Sequence, residues 1–502
     1  MTAMSATPKI RCGQVERSHD DVQSRAARIG AGLQAMGITA GDNVALVLAN
    51  SVEFLEVTAG IALAGANPVP VNWHGTADEI GYLLSNSGSK AVFVHSDFLA
   101  AVQQSGTALP LIVVPGKVAV ADGLVEFESW LSDHDPSVSP AEPTTGLGMI
   151  YTSGTTGKPK GIVRETVSPN VLLQMVMSLM NRMGVAPGVT TILPAPLYHT
   201  APNTVAVLAT RLGMDITILE RFDPEQFLAA VERHGVQQVQ MVPTMFTRLL
   251  RLPQEVRDRY DLSSLRTVVH SAAPCPEHVK RQMIDWFGPI VSEYYGGSET
   301  GPIVWCTSEE WLAHPGTVGT PADGAQVRIV TDDHEEAAVG EVGVVYVKPA
   351  DYWPGFTYHG DDEKRREMEL DGYVTVGDMG RVDADGFLYL TDRANDMVIS
   401  GGVNVYPAEI ESVLYQLPAV RDCAVFGIPD EEYGESLAAH IEVGAGFQLT
   451  EDDVRNFVRG KLAGFKVPKV VVFDDNLPRE DSGKLFKRRI RDRYWKDTDV
   501  KT

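Results

Sequence analysis

Residues 22–36 place Val22, Ala26, Ile29, Leu33 and Met36 at steps of three and four. That spacing is the apolar stripe of one helix, and Gly37 marks its stop. The period then changes. "NVALVLAN" (43–50) is a continuous apolar run of the kind a buried strand presents, and a helical run follows from Val52 to about Ala64. "AVFVH" (91–95) and "LIVVP" (111–115) predict two more strands. The alternation returns in "TTILPAP", "DITILE", "VQQVQMVP" and "LRTVVHSAAP", with helical stretches between them. Strands alternating with helices predict a parallel sheet covered on both faces.

From about residue 316 the texture shifts to short strands with Gly and Asp turns, as in "GTVGTPADGAQVRIV", "GEVGVVYVKP" and "GFLYLTDR". These predict a smaller β-rich unit. After Arg393 come a helix "PAEIESVLYQL", strands "DCAVFGIP" and "LAAHIEV", and a last helix "EDDVRNFVRGKL". The expected fold is therefore α/β. A large N-terminal domain, residues 1–394, combines parallel-sheet α/β subdomains with the small β-rich subdomain. A smaller C-terminal α+β domain, residues 395–502, follows it.

Composition narrows the function classes. A chain of 502 residues exceeds what one core usually organises. The net charge of −23 argues against a broad nucleic-acid or anionic-membrane surface, so an anionic ligand must meet local positive charge. Cys12, Cys275, Cys306 and Cys423 are scattered without metal-ligand spacing, as in a reduced cytoplasmic protein. The N-terminal stretch lacks the apolar core of a signal peptide. The longest apolar stretch, "VTAGIALAGANPVPV", falls short of the roughly 18 residues of a membrane span. The expectation is a cytoplasmic protein with no nucleic-acid partner and no integral membrane association.

The segment "YTSGTTGKPKG" (151–161) concentrates hydroxyls, glycines and two lysines. Its spacing differs from the phosphate loop G-x-x-x-x-G-K-[ST]. Pro159 removes a backbone donor and disfavours a helix directly after it. A loop that folds over phosphates fits these residues, as does a flexible surface loop. The string resembles the signature of the adenylate-forming superfamily: acyl-CoA and aryl-CoA synthetases, nonribosomal-peptide adenylation domains and firefly luciferase. Four more segments match that family in the same order: "EYYGGSETG" (293–301), "VTVGDMGRVDADGFLYLTDR" (374–393), "VISGGVNVYPAEIE" (398–411) and "PREDSGKLFKRRI" (478–490). "HSAAPCPEHVKRQMI" looks most like bacterial acyl-CoA synthetases.

The resemblance implies a first half-reaction that joins a carboxylate to the α-phosphate of ATP and releases pyrophosphate. It places Thr152, Ser153, Gly154, Thr155, Thr156, Gly157, Lys158 and Lys160 around the β- and γ-phosphates. Tyr295 resembles the aromatic residue stacked on adenine, Ser298 the hydroxyl on the α-phosphate, and Glu299 the Mg²⁺ ligand. Glu293, Tyr294 and Gly296 go with them at the nucleotide, and Ala272 and Ala273 resemble the small residues beside the purine. Asp378 resembles the carboxylate on the ribose diol, seconded by Arg393. His199 resembles the residue at the mouth of the acyl pocket, next to the substrate carboxylate. The implied pocket walls are Tyr198, Met241, Phe246, Ser271, Gly296, Gly297, Ile303 and Trp305. The double glycine leaves room there, so a bulky aromatic or polycyclic acid is expected.

Lys484 resembles the family's mobile catalytic lysine, which bridges carboxylate and α-phosphate. Its neighbours Lys487, Arg488, Arg489 and Arg491 read as a solvated basic helix end. Family members rotate the C-terminal domain after adenylation. Here the pivot is Asn395 where the family usually has Asp or Lys, and Gly401 and Gly402 leave a passage for a pantetheine arm. The resemblance implies ATP, Mg²⁺ and coenzyme A as cofactors and co-substrates of a carboxylate–CoA ligase. An amide-forming synthetase, in which a free amine attacks the adenylate, stays open at this point. So do a stand-alone module that loads a carrier protein and a non-enzymatic nucleotide-binding regulator.

Overall fold

The computed structural model describes residues 7–135, 148–152, 158–331, 333–393, 396–400, 403–430, 432–479 and 485–495. The first helix, His19–Ala35, starts at Ser18, whose hydroxyl accepts from the Asp21 amide while the Asp21 carboxylate reaches back to the Ser18 amide. This reciprocal cap satisfies two orphan donors. Val22, Ala26, Ile29 and Leu33 are buried. Met36 lies just past the last helical residue and is exposed, and Gly37 turns the chain at φ 80°.

Two parallel sheets follow from the runs of buried strands. In the first, Asn67–Pro70, Asn43–Val47, Ala91–His95, Leu111–Val114 and Val125–Glu126 lie side by side. The second has nine strands, with Asp215–Ile218, Thr190–Leu193, Gln238–Met241, Thr267–His270 and Val291–Gly297 parallel and adjacent. Gly301–Cys306 then turns back antiparallel. Lys9–Cys12 joins this sheet beside Asp215–Ile218, with Ile10 opposite Ile216. No local period announces a pairing so distant in sequence.

The β-rich unit is an antiparallel sheet of Gln326–Val330, Gly343–Lys348, Tyr373–Val382, Glu369–Leu370 and Leu388–Arg393. A separate three-stranded sheet joins Ile150–Thr152, Lys160–Arg164 and Phe356–Tyr358. The run after Pro159 is thus a strand, as the missing amide donor at proline leads one to expect. The C-terminal part has its own sheet and apolar core, with Val398, Ile410, Leu414, Val425, Ile441, Val454 and Val458 all buried. "EDDVRNFVRGKL" forms the helix Glu451–Arg459, but it is not the last one: Lys487–Trp495 is helical too.

The basic end of the chain corrects one expectation. Lys487 is not solvated. Its ammonium lies 2.8 Å from Glu411, and its side chain is 13% exposed. Burial works against that charge, yet Glu411, Asp392 and Asp396 together hold its pKa above the ordinary lysine value. Asp392 stands at the end of the β-rich sheet, where it accepts from the amides of Arg393 and Ala408. Among the described residues, no helix is long and apolar enough to cross a membrane.

Candidate active site

A cleft of about 1180 Å³ opens where the parallel strands of the nine-stranded sheet end, the usual ligand position in an open α/β sheet. Its walls include Thr152, Lys158 and Lys160 from the paired strands Ile150–Thr152 and Lys160–Arg164 and the residues just before the second, Tyr198 and His199, Ser271 and Ala272, and Tyr294 through Glu299 apart from Tyr295. Asp378 and Arg393 come from the β-rich sheet, and Arg479, Phe486, Arg488 and Arg489 from the C-terminal part. Arg489 also stands 3.8 Å from Glu79 across the cleft. Among the described lining residues, cationic side chains outnumber acidic ones eight to six, in a chain with 43 against 66 overall. The local positive charge required of an anion site is present.

The turn carrying Ser298 and Glu299 is held from several sides. Thr200 Oγ1 lies 2.5 Å from Ser298 Oγ. The Tyr358 hydroxyl donates to Glu299 Oε1 at 3.0 Å. Burial first, then this carboxylate, push the Tyr358 pKa up, so the phenol stays a donor. Arg164 donates to the carbonyls of Ser298 and, at 3.2 Å, of Glu299, with its guanidinium 5.4 Å from the centre of the Trp353 ring. Burial pulls the Arg164 pKa down to about 10 against the pull of Glu299. It therefore carries its charge throughout the neutral range.

Two glycines in this turn are there for the backbone. A Cβ on Gly296 would sit 1.9 Å from the Gly301 carbonyl oxygen, and one on Gly301 would lie 2.1 Å from the Trp353 ring. Gly296 thus permits a tight hairpin and does not enlarge the pocket, which removes half of the double-glycine argument for a bulky acid. At Gly297 the nearest atom to such a Cβ is Glu299 Oε2, at 2.9 Å.

The sheet register explains which expected residues miss the cleft. Met241 lies opposite His270, and His270 opposite Glu293, in one row across three strands. Alternate residues face opposite sides of a sheet, so this row points away from Val242, Ser271 and Tyr294. Met241 and Phe246 are fully buried in the core behind the sheet, and the Phe246 ring meets His270 edge-on at 5.2 Å. Glu293 pairs with the buried Lys280 at 2.5 Å, on the same hidden side. Burial raises the Glu293 pKa and Lys280 opposes it. Met241, Phe246 and Glu293 therefore do not line the cleft and pack in the core instead.

Trp305 shares a row with Tyr294 and packs on its ring at 5.1 Å; it stands behind the wall. Ile303 belongs to the core of the β-rich unit. Ala272 lines the cleft in a left-handed conformation, φ 75°, a strained state for alanine of the kind that gathers at functional sites. Ala273 does not line the cleft. Tyr295 packs its ring against the β-rich core and likewise does not line it. It contributes instead a hydroxyl that donates to Asp378 Oδ2 at 2.8 Å. Asp378 Oδ1 has Arg393 Nε at 3.4 Å.

Lys160 is paired with Asp361 at 2.6 Å and lies 5.3 Å from the Tyr358 ring centre. Lys158 lies over the Tyr82 ring at 4.9 Å. His199 precedes the helix Thr200–Arg211 as its cap residue, its ring 4.3 Å from that of Tyr198. Ser153, Gly154, Thr155, Thr156, Gly157, Asn395, Gly401, Gly402 and Lys484 lie outside the described residues. Residue-by-residue reading missed Arg164, Thr200, Gln240, Trp353 and Tyr358. Nothing in "KGIVRE" distinguishes a guanidinium that props a turn from one in solvent.

Comparison with known proteins agrees with this geometry. The "AMP-binding enzyme" family profile matches residues 3–356, and that of the "AMP-binding enzyme C-terminal domain" matches residues 409–484. A feruloyl-CoA synthase from Amycolatopsis is 33% identical, covering 97% of this chain and 95% of its own. A fatty acid–[acyl-carrier-protein] ligase, ScoC, from Streptomyces coeruleorubidus is 30% identical over 98% of this chain and 94% of its own. Among solved structures, ATP-bound MatB from Rhodopseudomonas palustris superposes with a TM-score of 0.84 at 27% identity, covering 98% of this chain and 97% of that one. With both family profiles matched in order, and a cleft walled by that family's motif residues, the chain belongs to the AMP-binding enzymes, the adenylate-forming superfamily.

Proposed function

We propose that this protein is an ATP-dependent, AMP-forming carboxylate–CoA ligase. A carboxylate oxygen of the acid attacks the α-phosphorus of ATP, pyrophosphate leaves, and an acyl-AMP forms. The thiolate of coenzyme A then attacks the acyl carbonyl and AMP leaves. One observation carries the reading: a single cleft gathers Ser298, Glu299, Asp378 and Arg393 at one wall, the paired strands Ile150–Thr152 and Lys160–Arg164 at another, and the C-terminal arginines at its rim.

Two anions must approach each other in the first step, so positioning and charge neutralisation do most of the catalytic work. Asp378 is placed to accept from a ribose diol, with Arg393 beside it and Tyr295 fixing its second oxygen. Ser298 and Thr200 present hydroxyls at the α-phosphate position, and Thr200 opens its helix there, at the positive end of the helix dipole. The donor set suits Mg²⁺. Among the described residues, no cluster of three or more His, Cys, Asp or Glu could form an all-protein cage, whereas Mg²⁺ typically takes one or two carboxylates plus phosphate oxygens. Glu299 would hold it, and the ion would supply charge neutralisation. Lys484 is assigned the bridging ammonium, and residues 1–394 and 395–502 are proposed to reorient about Asn395 between the two steps. Gly401 and Gly402 would then flank the thiol path.

Pyrophosphate release and product mass should be measured across a panel of acids with coenzyme A, with amines and with neither. Acyl-CoA is the expected product. An amide as sole product, or acyl transfer confined to a carrier protein, overturns the acceptor assignment. Lys484→Ala should keep its fold and lose adenylate formation by about 100-fold or more, the scale of removing one transition-state charge contact. Unchanged pyrophosphate exchange in that variant removes Lys484 from the mechanism.

A further inference from the structure

Two buried polar side chains, Gln240 and Ser271, line the cleft where an alkyl-binding pocket would be apolar. Gln240, at the end of the strand Gln238–Met241, lines the cleft at 2% exposure. Its amide nitrogen donates to the Met241 carbonyl at 2.9 Å. A carbonyl can only accept, so this bond fixes the amide orientation and leaves Oε1 as the free end. That oxygen has no hydrogen-bond donor among the described residues; the hydroxyl of Ser271, one strand over and 3% exposed, faces that of Tyr294. Val242, Leu179 and Met183 are apolar residues of the same cleft lining.

A buried acceptor without a donor costs about 1–3 kcal/mol. Bulk solvent does not reach the Gln240 oxygen, so the donor it lacks is one that a molecule bound in the cleft can bring. We propose that the substrate acid carries a hydrogen-bond donor on the portion entering this pocket, such as a phenol or a ring N–H, and that Gln240 reads it. A small number of placed polar groups in an apolar pocket is how such sites fix orientation. A site built around unpaired polar groups rejects the analogue that lacks their partner far more strongly than an apolar pocket rejects an extra methylene. An alkyl chain laid on Gln240 Oε1 leaves that oxygen unpaired, so plain fatty acids are disfavoured. This inference rests on the carboxylate-activating reading above and adds the chemical class of the acid.

The test uses the full-length enzyme with ATP and Mg²⁺ and measures pyrophosphate release. Probes are three matched pairs (4-hydroxybenzoate and benzoate, 3-(4-hydroxyphenyl)propanoate and 3-phenylpropanoate, 4-hydroxycinnamate and cinnamate) together with octanoate. The expected result is a kcat/KM at least about tenfold higher for the hydroxylated member of the best pair, with octanoate lower still. In Gln240→Leu and Gln240→Met the ratio should fall to within about threefold, through KM and kcat of the hydroxylated acid alone. A deoxy acid or octanoate used as well as the hydroxylated ones, or a preference that survives both variants, overturns the proposal. Should neither variant fold, the wild-type ratios still decide it. Release with octanoate alone leaves the ligase standing and this inference refuted. Release with no acid at all refutes the ligase reading itself, and this inference with it.

Discussion

Arg164→Met removes the guanidinium that holds the Ser298–Glu299 turn while keeping a side chain of similar length. Two bonds from a charged donor to carbonyls are lost, each worth about 1.5–3 kcal/mol, along with a cation–π contact to Trp353 of about 0.5–2 kcal/mol. The fold recovers part of this, because Thr200 and Tyr358 still grip the Ser298 and Glu299 side chains. What is not recovered is position, and a displacement of about 1 Å in a positioning group costs about 100-fold in rate. The expected outcome is a fall of about 100-fold in kcat/KM for pyrophosphate release. It should come with a higher half-saturating Mg²⁺ concentration, and the KM for the acid should change by less than about threefold. Arg164→Lys keeps the charge but cannot fork to both carbonyls, so it should recover less than about tenfold. The assay is coupled pyrophosphate release at varied ATP, Mg²⁺ and acid, with circular dichroism to confirm folding. A folded Arg164→Met enzyme with wild-type rate and Mg²⁺ requirement refutes the reasoning, because the turn would then hold itself.

Gly296→Ala should abolish activity and lower the melting temperature, since its Cβ would overlap the Gly301 carbonyl; wild-type activity in that variant would contradict the hairpin geometry. Glu56 is fully buried beside Arg25 at 2.7 Å, and burial outweighs the arginine and pushes its pKa to about 7. A carboxyl whose pKa is raised in the folded state takes up a proton there first. Its stabilising contribution is complete below the unfolded value near 4.5 and is lost as pH rises through 7. Denaturant titrations should therefore show wild type gaining about 2–3 kcal/mol from pH 8 to pH 5 relative to Glu56→Gln, and parallel curves for the two proteins would remove the effect.

The alternating helices and strands, the β-rich turn from residue 316 and the separate C-terminal core were legible because each rests on local periodicity. The nucleotide motifs were legible through their resemblance to the family's short strings. Ser298 and Glu299 sit in one contiguous turn, and Asp378 and Arg393 on one strand pair, so short strings carry them. The choice of residues that wall the cleft was not. Met241 and Gln240 are neighbours in the chain, yet one is core and the other wall, because a strand turns successive side chains to opposite faces and only the register with Thr267–His270 says which face is which. Gly296 was misread because the atom that forbids its side chain, the Gly301 carbonyl, is placed by the hairpin. Lys487 was misread because Glu411 and Asp392 reach it from other elements.

Sequence by itself determined the succession of elements and, through the family its motifs resemble, the nucleotide chemistry, since both depend on groups near one another along the backbone. Tertiary structure alone decided which side of each strand meets the cleft, that Arg164 props the turn, and that Gln240 stands in the lining. Those depend on which distant segments pack together, and burial fixes that through the whole core at once.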